Sequence, residues 1–109
     1  MVSTISEHRP DAKDSLLAAQ VDADSAYDTA ARASSQACEW SARAGLSGGD
    51  AAEAVAAAER ARNEADEAHA AKSAELAWTA ARAAWAAASS AMEALERVSA
   101  EIKRDLLAA

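Results

Sequence analysis

Along the first half of the chain, Ala12, Leu16, Ala19, Ala23, Ala26, Ala30, Ala33, Ala37, Trp40 and Ala44 recur at alternating steps of four and three residues. That step pattern returns to one side of an α-helix, so it predicts a first helix over residues 11–44 with an unbroken heptad seam. Pro10 suits its entrance, because the N–H that proline lacks is unpaired in a first turn anyway. Gly45 suits its exit, where a left-handed backbone favours glycine. Residues 1–10 read as a flexible tail.

The segment Gly45 to Asp50, GLSGGD, is the one interior stretch with turn vocabulary. Asp50 followed three residues later by Glu53 reads as a helix N-cap with a reciprocal acid. A connection this short implies antiparallel neighbours. Trp40 is expected to close the hairpin near its turn, against Val55. A second helix is predicted over residues 51–107. Its first part carries Ala54, Ala58, Ala61, Ala65 and Ala68 at the heptad steps. Its last part carries Trp78, Ala81, Trp85, Ala88, Met92, Leu95, Ser99, Ile102 and Leu106. The phase slips between them, around His69 to Ala74, where neither Gly nor Pro interrupts the chain. The slip leaves two architectures: a continuous second helix, or a break that makes a three-helix bundle.

The continuous form is the leading expectation. At ~1.5 Å per residue the first helix is roughly 50 Å long and the second roughly 85 Å. Folding at the loop sets residue i of the first helix opposite roughly residue 94 − i of the second. The second helix then overhangs beyond about Ala83 and carries a bulky apolar stripe with nothing in the chain to cover it. The expected partner-binding set is therefore Trp78, Trp85, Met92, Leu95, Ile102 and Leu106, with Trp78 nearest the junction. The fold class is all-α: an antiparallel helical hairpin that dimerises into an elongated four-helix bundle or coiled coil.

Composition supports helices and limits the core. Alanine supplies 36 of the 109 residues, against seven Leu, four Val, two Ile and no Phe. Alanine has the strongest helix propensity but adds little more than a methyl group to a core. A net charge of −7 argues against nucleic acid or an anionic membrane as ligand, since both recruit basic surfaces. No run is long enough to span a bilayer, and MVSTISEHRP has no secretory-signal pattern. A single cysteine, Cys38, fits a reducing cytoplasm and reads as a half-buried, inert thiol.

Candidate chemistry is thin. Asp66 and His69 share one helical face, with Asp24 and Asp28 opposite in the expected register, so four candidate metal ligands can be drawn together. All flank the alanine seam rather than occupy it, which places them on a solvated rim and makes a metal-binding bundle the weakest reading. Ser89 and Ser90 have no base at helical spacing. Glu93 with Arg97, and Glu59 with Arg62, read as helix-surface ion pairs. The expectation is no enzyme, no cofactor and no metal.

A helical hairpin with Trp40 beside its turn resembles the small secreted proteins of the type VII (WXG) class. Here Ser41 and Ala42 follow the tryptophan, so the Trp-x-Gly motif is missing, as is that class's C-terminal Tyr-x-x-x-acid signal. The run RAAWAAASSAMEAL, Arg82 to Leu95, is similar in texture to bacterial immunity proteins. Alanine-rich antifreeze helices are a third likeness, without their regular threonine face. The functional expectation is a non-enzymatic protein–protein interaction module acting by self-assembly or as an adaptor. A small acidic inhibitor of another protein is the alternative.

Overall fold

The computed structural model describes residues 12–108, with side chains from Asp14 onward. Expectations for the tail, residues 1–10, lie outside that range. Among the described residues there are three helices and no strand: α1, Ala12–Ala44; α2, Gly49–Ala70; and α3, Ala74–Ala108. They pack as an elongated three-helix bundle measuring 69 × 29 × 15 Å.

The continuous second helix is therefore corrected to two helices, and the reason lies in the phase slip. Ala68 and Ala77 are both fully buried. They are nine residues apart, which at ~100° per residue puts them half a turn out of phase on one straight helix. A continuous helix would turn one alanine face toward α1 and the other toward water. Instead Ala71 leaves the helical region at φ −65, ψ 140. Ser73 restarts the chain: its Oγ accepts from the Leu76 N–H at 3.2 Å, and its carbonyl from the Ala77 N–H at 3.0 Å. Serine is a favoured N-cap because it satisfies one of the orphan amides of a first turn. α3 then runs back antiparallel to α2 and parallel to α1, so the expected overhang does not exist.

The α1–α2 corner follows the sequence expectation at Gly45. Its φ of +68 permits the Gly45 N–H to reach the Ala42 carbonyl at 3.2 Å and the Leu46 N–H the Ser41 carbonyl at 2.9 Å. That pair of bonds is the Schellman end. Leu46 packs onto the adjoining core, as the motif's apolar contact requires. At the other side of the corner the expected cap is corrected. The N-cap is Gly48 at φ 86, with no side-chain cap bond, and Asp50 and Glu53 reach across to Arg97 of α3 instead.

Among the described residues every buried apolar residue is alanine except Val98. The predicted seam of α1 is buried from Ala19 to Ala37, but Ser41 then takes the place expected of Trp40. Trp40 and Val55 are each more than a third exposed, at 36% and 38%. On α3 the buried line is Ala77, Ala84, Ala91 and Val98. The expected line through Trp78, Trp85 and Met92 is displaced from it by one residue. Ala80, Ala87 and Ala94 flank that line on one side and Ala81, Ala88 and Leu95 on the other, giving two overlapping heptads. One seam serves a hairpin; two let a helix face two neighbours at once. In the central layer Ala26, Ala30 and Ala33 meet Ala57, Ala58 and Ala61 and Ala84, Ala87 and Ala88. Methyl groups fill this layer, with Tyr27, Trp85 and Leu95 packed against its margin, and such small side chains permit axes toward the short end of the usual ~8–10 Å range.

Candidate interaction surface

The two tryptophans of α3 mark the boundary with α1. Each is half-buried, and each donates its indole Nε1–H to the residue 63 positions earlier. Trp78 donates to Ser15 Oγ at 3.1 Å and Trp85 to Asp22 Oδ2 at 3.1 Å. A buried indole face with a satisfied N–H is the usual compromise for tryptophan at a partly wet seam. Trp78 packs on the layer of Ala23, Ala65 and Ala81, and Trp85 on the central layer. Leu95 bridges the central and loop-end layers, and Ile102 packs on the latter. Four of the six residues expected at a partner contact thus have neighbours within their own chain. Met92 is more than a third exposed, at 38%, and only Leu106 among the six, at 72%, lies largely in water.

Two residues that the sequence reading passed over complete this surface. Leu17 and Val21, one turn apart on α1, are 58% and 60% exposed. With Asp14, Ala18, Asp22, Ser25 and Trp78 they line a shallow open groove between α1 and α3. The signal was available: two large aliphatic residues four apart, both off an alanine seam, in a helix with few others. A second depression between α2 and α3 is lined by alanines such as Ala70, Ala80 and Ala83 together with Glu64, Glu67, Lys72 and Leu76.

Asp24 and His69 meet as the expected register placed them, with His69 Nε2 at 3.0 and 2.9 Å from the two Asp24 oxygens. Both side chains are about half exposed. Asp66 and Asp28 are exposed too, and Asp28 pairs with Arg32 at 2.7 Å. Among the described residues no three His, Cys, Asp or Glu side chains gather as metal ligands would. Cys38 is exposed rather than half-buried. The Ser90 hydroxyl donates back to the Ala86 carbonyl at 3.3 Å.

Arg97 does not stay with Glu93 on its own helix. Its Nε donates to Asp50 Oδ1 at 3.0 Å and its Nη2 to Glu53 Oε2, tying α3 to the first turn of α2. The hydrogen bond to Asp50, opposed by desolvation and aided by Glu53, raises the guanidinium pKa above its ordinary value. Among the described residues no helix is long and apolar enough to cross a membrane. No family model, curated protein or solved structure matches the chain.

Proposed function

We propose that the protein is a non-catalytic helical interaction module that offers its α1–α3 face to a protein partner. The observation that supports this is the inversion of burial: alanine fills the interior while Leu17 and Val21 stand in water beside Trp78. A large aliphatic side chain is worth ~1.5–3 kcal/mol when buried, and the bundle leaves that stabilisation unused. Trp78, Trp85 and Met92 recur at seven-residue spacing, so one edge of α3 carries all three along the boundary with α1. A half-buried tryptophan flanked by exposed aliphatic residues is the composition of a contact centre.

Self-assembly and capture of a foreign protein are the two forms of this reading, and both use the same face. In the first, helices of a second copy complete a four-helix layer over the groove. In the second, the module acts as a small acidic inhibitor. Molar mass by light scattering tests the reading, for the wild type alone and in soluble extract, beside a Leu17→Ser, Val21→Ser double variant of unchanged helicity. Assembly in the wild type that the double variant loses is the expected result. An 11.2 kDa particle in both settings, with no dependence on concentration, overturns it.

A further inference from the structure

The groove's chemistry points to the class of partner. We propose that it receives a cationic amphipathic helix, an inference that rests on the interaction-module reading and narrows it. Leu17, Val21 and Trp78 supply an apolar floor, and the charged groups in the lining, Asp14 and Asp22, are both carboxylates. Asp22 is fixed in that lining by the Trp85 indole N–H, which donates to one of its oxygens at 3.1 Å. The groove lies between two parallel helices, and such a furrow takes the side-chain ridge of another helix.

Its length sets the occupant's anchors. From Asp14 to Ser25 the α1 wall rises ~17 Å, or about three helical turns. A helix laid there contacts the floor with apolar residues at i, i+3 or i+4, and i+7. Lysine or arginine beside that stripe suits the groove, since their methylene stems cover Leu17 and Val21 while a charged head reaches the Asp22 carboxylate. A second copy of this chain is the poorer occupant. It brings another net charge of −7, and like-charged surfaces repel one another as they meet.

The test titrates the full chain with two synthetic three-heptad helical peptides that share one leucine stripe. One is flanked by lysines and the other by glutamates. Binding is read by calorimetry and tryptophan fluorescence at physiological ionic strength, where long-range attraction between exposed charges is largely screened. The lysine peptide should bind one to one, with the glutamate peptide at least about tenfold weaker. Leu17→Ser with Val21→Ser should weaken the lysine peptide by about tenfold or more at unchanged net charge. Equal binding of the two peptides overturns the proposal, as does no binding, or lysine-peptide binding that survives the double substitution and so reflects bulk charge alone. A wild type that self-assembles through Leu17 and Val21 yet ignores the lysine peptide overturns the cationic partner and leaves the interaction module standing. A monomer that binds nothing in either experiment removes both.

Discussion

Asp22 is the residue on which two roles converge, since it both receives the Trp85 N–H and lies in the groove wall. A hydrogen bond to a carboxylate contributes more than a neutral one, and its loss leaves a half-buried indole N–H without a partner. Asp22→Ala should therefore destabilise the fold by about 1 kcal/mol, measured by urea denaturation. Trp85→Phe in the same background should then add little beyond its lost contacts, because the bond it served is already gone. Asp66 and His69 behave differently. His69 is half exposed, Asp66 is exposed, and the Asp24–His69 bond lies in water. Asp66→Ala and His69→Ala should each shift stability by no more than about 0.5 kcal/mol, the common range for surface sites. Stoichiometric metal that copurifies with the wild type and is lost in His69→Ala would contradict this and revive a bundle-site reading.

At the scale of the element, the helix ends decide the topology. Gly45 holds φ +68 with no atom within 4 Å of where a Cβ would stand. Gly45→Ala therefore meets backbone strain rather than a clash, and should lower stability by about 1 kcal/mol without changing the fold. Circular dichroism and chemical denaturation measured together check both halves of that statement. The Ser73 restart is less legible than the Gly45 stop. AAKSAE around it consists of ordinary helix-compatible residues, and local propensity has no objection to running straight through. What ends α2 is the half-turn mismatch between its alanine face and that of α3. Asp50 and Glu53 teach the complementary lesson. Their spacing has the form of a capping box, but Arg97 of a distant helix competes for the same carboxylates and holds them.

For the whole molecule, an interior of methyl groups makes close approach the source of cohesion. Ala84 is fully buried in the layer where all three helices meet. Ala84→Leu adds three carbons where axes already approach closely, and should destabilise by about 1–3 kcal/mol or more by overpacking. A cooperative melt at a markedly lower temperature is the expected result, and an unchanged melt would show that the layer has room for a larger side chain. Helical content in solution should be far above the ~30–35% of average globular domains, and a spectrum with less than half helix would contradict the bundle.

The all-helical class, the end of α1 at the Gly45 stop and the alanine faces of α1 and α2 were legible in the sequence. Each depends on periodicity or on one residue's backbone preference, and both act within a few residues. The number of helices and the lining of the candidate surface were settled only in three dimensions. A phase slip says that one face cannot continue, but which side of the slip turns back depends on what α1 has left to cover. Likewise, the spacing of Trp78, Trp85 and Met92 marks a shared face, yet the partner on that face is decided by packing. The folded chain answered with its own α1, through Ser15 and Asp22, and left Leu17 and Val21 outside because both lie off the alanine seam that α1 turns inward.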